Sequence, residues 1–162
     1  MAGKLIEPTP RDVAVYISAS FDDAEAAERV AKTMRAHAVE VTSTWHKPPL
    51  TAWKSGTSAI GGNGEEIAAR CLTEMLHSDW IVALAGGKPS TAGGTHTELG
   101  FAIGIKRPII MIGSPTSPFH YLRCIKQCAS VEEFLMGLMT ARVKGARMMS
   151  QHDRLRLGKK GS

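Results

Sequence analysis

The chain has 162 residues, 43% of them hydrophobic, which suits one compact domain with a buried core and leaves little room for a second. Its formal charge of +5 points first to nucleic acid, but seven Lys and Arg against one Asp lie from Arg142 onward, so residues 1–140, with thirteen basic and fourteen acidic side chains, carry about −1 and argue against that partner. No run of 18 apolar residues occurs, and the opening MAGKLIEPTPRD lacks the apolar centre of a secretion signal; both features predict a non-exported, cytoplasmic protein without a membrane-spanning helix.

In chain order, Val13–Ser18 is a short β-branched and aromatic run that predicts a first strand. After Ser20, Phe21 and two aspartates, Ala26, Ala27, Val30, Ala31 and Met34 recur at spacings of three and four, predicting a helix to about His37 with Glu25, Glu28, Arg29 and Lys32 in water. A second strand is predicted over Val39–Trp45. The stretch 46–63 holds two prolines and three glycines without helical period, so it reads as a long loop of the kind that carries function. A helix over Glu65–His77 leads to the apolar strand Trp80–Ala85. Then come a glycine-rich loop at 86–94, a helix over Thr95–Ile105 and the strand Pro108–Gly113. A weak strand at Ile125–Cys128 precedes a helix from Ser130, where Ser-Val-Glu-Glu reads as an N-cap with Glu at the third helical position.

Alternating strands and helices predict an α/β fold: one doubly wound domain, flavodoxin or Rossmann-like, with a five-stranded parallel sheet in the order 2-1-3-4-5. Residues 1–12 read as an N-terminal lead, 13–141 as the domain and 142–162 as a basic, flexible tail. The three cysteines, Cys71, Cys124 and Cys128, are an odd number and point to a reducing compartment. His120, Cys124 and Cys128 are ligand types, but a zinc site needs a fourth ligand that the cluster lacks, so no metal and no cofactor are expected.

In doubly wound sheets, ligands bind at the carboxyl ends of the strands. That rule gathers Ser18, Ser20 and Phe21 after strand one, Trp45 and His46 after strand two, and the segment Gly93-Gly94-Thr95-His96-Thr97-Glu98-Leu99-Gly100 after strand three. Asp79 precedes strand three and belongs to the opposite edge. Thr95-x-x-Glu98 fits a capping box, in which Glu98 would satisfy an orphan amide. The same helix start offers free amides and positive potential for an anion, and would hold a nearby carboxylate ionised.

The run Tyr16-Ile-Ser-Ala-Ser-Phe21, the helix into Asp79-Trp-Ile-Val-Ala, and Gly-Gly-x-His-x-Glu-Leu-Gly-x-Ala followed by Arg107-Pro-Ile-Ile resemble the nucleoside 2-deoxyribosyltransferase family and its nucleotide N-glycosidase relatives over about residues 13–140. The resemblance implies cleavage of the bond between a nucleobase and C1′ of a (deoxy)ribose in a nucleoside or its 5′-monophosphate, by hydrolysis or base transfer. It makes Glu98 the nucleophile and Tyr16 the residue that orients it. Ser18, Ser20 and Phe21 would line sugar and base, with Trp45 and His46 in the same cleft, and Gly93, Gly94, Thr95 and His96 would meet a 5′-substituent such as phosphate.

Two positions depart from the family pattern. Where it carries aspartates that serve the leaving base, this chain has Cys71 and Ala92; Glu74, one helical turn after Cys71, is the candidate to share proton handling with it. Two other readings remain: a nucleotide-binding or sensor module of the same fold, and a hydrolase of the cytokinin-type riboside monophosphate class, whose PGG-x-GT-x-x-E pattern is not reproduced because Ala92 and His96 replace its proline and second glycine. An NAD-cleaving Toll/interleukin-receptor-like domain is more distant. By the same resemblance a homodimer or higher homo-oligomer is expected, with the aromatic stretch Phe119-His120-Tyr121-Leu122 reaching a neighbouring pocket.

Overall fold

The computed structural model describes residues 13–47, 64–85 and 93–141. The N-terminal lead, most of the long loop, the glycine-rich segment up to Ala92 and the basic tail lie outside the described residues. The sheet is five-stranded and wholly parallel, ordered β2-β1-β3-β4-β5. Its strands are β1 (Ala14–Ser18), β2 (Glu40–Val41), β3 (Trp80–Leu84), β4 (Ile109–Ile112) and β5 (Ile125–Cys128). This is the expected α/β doubly wound architecture and strand order.

The three central strands form the core because nearly every side chain on them is apolar, as burial on both faces requires. β1 and β4 are buried throughout, and β3 at its three middle positions. Helix α1 (Ala24–Ala36) buries Ala24, Ala27, Ala31 and Met34, a stripe at helical spacing. Helices α2 (Gly64–His77) and α3 (Gly94–Gly104) connect the next strands. A last helix, α4, runs over residues 131–141.

Alternation along β1 divides the faces. Tyr16 and Ser18 meet side chains of α2 and α3. Val15 pairs in register with Trp80, and Trp80 packs edge-on against Phe134 of α4 with ring centroids 6.2 Å apart. So α4 lies on the face opposite α2 and α3. Asp79 accepts a hydrogen bond from Ala14 N at 3.0 Å, which ties the amino ends of β1 and β3 at the edge away from the strands' carboxyl ends.

Two elements differ from expectation in informative ways. β2 has two residues where seven were predicted, because beyond Thr42 side chains take over the pairing with β1. The start of α3 is not capped by Thr95. Gly93 is the N-cap, in a left-handed conformation (φ 71°) without a side-chain cap, which places Glu98 fifth in the helix rather than third. The predicted cap at Ser130 forms: Glu133 N donates to Ser130 Oγ at 3.2 Å, and Glu133 Oε2 accepts from Ala129 N at 2.6 Å.

Candidate active site

Glu98 reaches back from α3 across the carboxyl end of β1. Its Oε1 accepts a hydrogen bond from the Tyr16 hydroxyl at 2.6 Å, and its Oε2 accepts one from Ser18 Oγ at 2.5 Å. The two donors sit on one face of β1, two residues apart, so the strand presents both hydroxyls to one carboxylate. A carboxylate offers about four lone-pair sites, so two remain for an incoming group.

Burial pushes the Glu98 carboxyl above the usual carboxylate range; the bonds from Ser18 and Tyr16 pull it down, and the nearby Glu74 charge pushes it up. The helix start is not what opposes the cost of burial at Glu98; the two hydroxyls are. The field of a helix end fades within the first turn, and Glu98 lies beyond it in a desolvated position. Burial first, then the Glu98 charge, drives the Tyr16 phenol far above its ordinary value, so its hydroxyl remains a donor.

Cys71 is buried on α2 beside the Tyr16 hydroxyl. Burial pushes its thiol up to about 11, against the bond to Tyr16, so it is neutral near pH 7 and a weak proton donor. Glu74 faces the same region, but both its oxygens are engaged: Thr44 Oγ1 donates to Oε1 at 2.5 Å and Thr44 N to Oε2 at 3.1 Å. The spacing argument placed Cys71 and Glu74 on one helix face correctly. It could not foresee that Thr44 would claim the carboxylate.

The other expected binding residues have partners within the protein. Ser20 Oγ accepts from Asp22 N at 3.3 Å and caps the turn of 3-10 helix at Phe21–Asp23. Phe21 is half-buried, edge-on to Trp45 with centroids 5.2 Å apart. Trp45 is buried, and its indole N–H donates to the Ile17 carbonyl at 2.8 Å. The buried His46 donates from Nδ1 to Glu28 Oε2 at 2.7 Å, while its Nε2 accepts from Ser43 Oγ at 3.1 Å. Both ring nitrogens of His46 are thus engaged inside the protein. Ser18, expected to line the sugar, binds Glu98.

Gly93, Gly94 and Thr95 begin α3, where the amides of residues 94–96 precede the first helical bond, Thr97 N to Gly93 O at 3.0 Å. Open space surrounds both glycines at the position of an added Cβ. His96 is exposed and points away from Glu98, its ring stacked on that of His120 with centroids 5.8 Å apart and 19° between planes. His120 Nδ1 accepts from Thr116 N at 3.1 Å. Among the described residues, no three His, Cys, Asp or Glu side chains stand close enough to hold a metal ion, so His120, Cys124 and Cys128 form no ligand set.

The residues missed by sequence reading are Ser43 and Glu28. Helical periodicity assigned Glu28 to water, yet it bridges Arg35 Nη1 at 3.3 Å and His46. A serine in the run Val-Thr-Ser-Thr carries no local signal of its partner. No helix among the described residues is long and apolar enough to cross a membrane.

Compared by sequence, the chain matches no protein-family model and no curated protein. Its fold is shared with solved structures of low identity. A conserved protein of Enterococcus faecalis V583 is 13% identical with a TM-score of 0.54, the alignment covering 80% of this chain and 99% of that one. The CMP N-glycosidase BcmB of Clostridium botulinum is 15% identical with a TM-score of 0.50, over 78% of this chain and 98% of that one.

Proposed function

We propose that this protein cleaves the N-glycosidic bond of a nucleoside 5′-monophosphate or nucleoside, with Glu98 as nucleophile. The observation that carries the reading is the Tyr16–Glu98–Ser18 cluster at the carboxyl edge of the sheet. The fold likeness to a CMP N-glycosidase is consistent with it.

In this reading a free lone pair of Glu98 attacks C1′. The C1′–N bond breaks, its electron pair leaves on the base, and a glycosyl ester forms through an oxocarbenium-like transition state. Water then attacks the ester, releasing the sugar and restoring the carboxylate; in a transferase a second base takes that place. Tyr16 and Ser18 hold the carboxylate in line and return to it as the ester hydrolyses. Among the described residues, Glu74 is bound to Thr44 and Cys71 is a weak acid, so in this reading water supplies the proton for the leaving base. The amides of residues 94–96 favour a substrate with a 5′-phosphate.

The test is incubation with deoxynucleosides, ribonucleosides and their 5′-monophosphates, with and without an acceptor base, following free base by chromatography. Release without acceptor is expected, and Glu98→Gln should reduce it by roughly three orders of magnitude or more. Full activity in that variant would remove Glu98 from the chemistry. The engagement of Glu74 by Thr44 favours a second reading, a nucleotide-binding module that does not turn over; tight binding with no base released from any compound would select it.

A further inference from the structure

Ile17 sits between the two residues that hold Glu98, so a shift of its peptide groups moves both hydroxyls. A full-length β2 would secure it. The ladder begins regularly: Glu40 N donates to Val13 O at 3.0 Å and Thr42 N to Val15 O at 2.9 Å. The next rung would run from Thr44 N to Ile17 O, but Thr44 N turns to Glu74 on α2 instead.

Side chains replace that rung. Ser43 Oγ accepts from Ile17 N at 3.2 Å, and Trp45 Nε1 donates to Ile17 O at 2.8 Å, so both backbone polar groups of Ile17 are held by residues after β2. Ser43 is held in turn: its hydroxyl donates to His46 Nε2, whose other nitrogen is fixed by Glu28 on α1. Ser43, Trp45 and His46 are all buried. Continued strand pairing would bind Ile17 with no buried histidine or carboxylate partner. The structure uses a polar chain from α1 to β1, next to the peptide where Tyr16 and Ser18 diverge.

We propose that the turn at residues 43–46 is a positioning device for Glu98: Ser43 and Trp45 clamp the Ile17 peptide groups so that Tyr16 and Ser18 meet the carboxylate, and His46 with Glu28 locks Ser43. Its catalytic meaning rests on the reading of Glu98 as nucleophile. Ser43, Trp45 and His46 are positioning residues that touch no substrate. Among the described residues, the ionisable groups facing Glu98 are Tyr16 from β1 and Cys71 and Glu74 from α2; those facing His46 are Glu28 and Arg35 from α1 and Lys47 from its own turn.

The experiment compares full-length Ser43→Ala, Trp45→Phe and, as a core-destabilised control, Val131→Ala, a buried position on α4. Glutamate labelled with carbon-13 at its carboxyl reports the titration of Glu98, identified by its absence in Glu98→Gln. The bonds from Tyr16 and Ser18 hold the carboxyl down. Loosening them in Ser43→Ala and Trp45→Phe should therefore raise its midpoint, lower kcat by about ten- to a hundredfold and leave KM within about twofold, while Val131→Ala changes neither midpoint nor kcat. If Ser43→Ala does not fold, Trp45→Phe carries the test alone. An unmoved Glu98 titration in the folded variants, or an equal shift in Val131→Ala, overturns the proposal. A wild-type protein that releases no base overturns the glycosidase reading instead, and the titration still decides whether the turn positions Glu98.

Discussion

Glu98 is held by two hydroxyls yet sits where its charge is costly, and that tension has a measurable consequence. Burial raises its carboxyl in the folded state, so between the ordinary carboxylate value and the raised one the folded chain binds more protons than the unfolded chain. Stability therefore falls as pH rises through that window. Glu98→Gln keeps the shape and removes the ionisation. We expect it to be more stable than wild type at pH 8, with the gap closing as pH falls below the ordinary carboxylate value, where Glu98 is protonated in both states. Urea midpoints at a series of pH values, read with unchanged slope, measure this. His46 acts with the opposite sign: burial lowers its imidazole, so its contribution is lost as pH falls through that range. Because both proteins contain His46, its effect cancels in the difference. Parallel curves for wild type and variant would refute the raised carboxyl. A variant that gains stability while losing activity would mark Glu98 as a residue retained for chemistry.

Among the elements, β4 ends on a residue that must be glycine. Gly113 has φ 104°, and a Cβ there would lie 2.0 Å from the Ala85 carbonyl oxygen. Ala85 N donates to Ile112 O at 2.7 Å, so the carboxyl ends of β3 and β4 are pressed together beside the site. Gly113→Ala should cost about 3 kcal/mol from strain and overlap, lowering the melting temperature by roughly 6–12 °C; a loss under 1 °C would mean that the strand ends separate freely. What the sequence revealed about elements follows the range of the forces that make them. β3 and β4 were legible because runs such as Ile109–Ile112 are apolar on both faces. β2 was overestimated because Ser43 and Trp45 leave the strand for partners on β1, and composition does not encode a partner 26 or 28 residues away. The two Ser/Thr-x-x-Glu patterns make the same point. At Ser130 the pattern is local and forms a cap, whereas at Thr95 the glutamate is drawn off by Tyr16 and Ser18, 82 and 80 positions distant. Tyr16, Ser18 and Glu98 could still be grouped from sequence, since the strand order sends all three to one edge. Glu28 could not, because an amphipathic helix alone gives no reason to turn a charged side chain toward a buried histidine.

At the scale of the whole molecule, an apolar area lies exposed beside the carboxyl ends of α3 and β4 among the described residues. Phe119 is 67% exposed and Tyr121 72%, with Leu122 beside them and Ile103 on α3. A groove of about 200 Å³ runs between α3 and this stretch, lined by His96, Leu99, Ile103, Phe119 and Ile125. Two aromatic rings held out on one short 3-10 turn, next to an apolar groove, are costly in water and suit a partner surface. His96 joins that groove to the first turn of α3, the helix that carries Glu98, so a second chain seated there would border the site. The simplest closed form in which each copy supplies both aromatic turn and groove is a two-fold dimer. We therefore expect light scattering to give twice the chain mass of 17.4 kDa, and the double substitution Phe119→Glu with Tyr121→Glu to return it to that mass. Base release should then fall if the neighbouring turn completes the pocket. A monomeric variant with unchanged kcat/KM would show that one chain holds the whole site, and a wild-type mass of a single chain would refute the dimer outright.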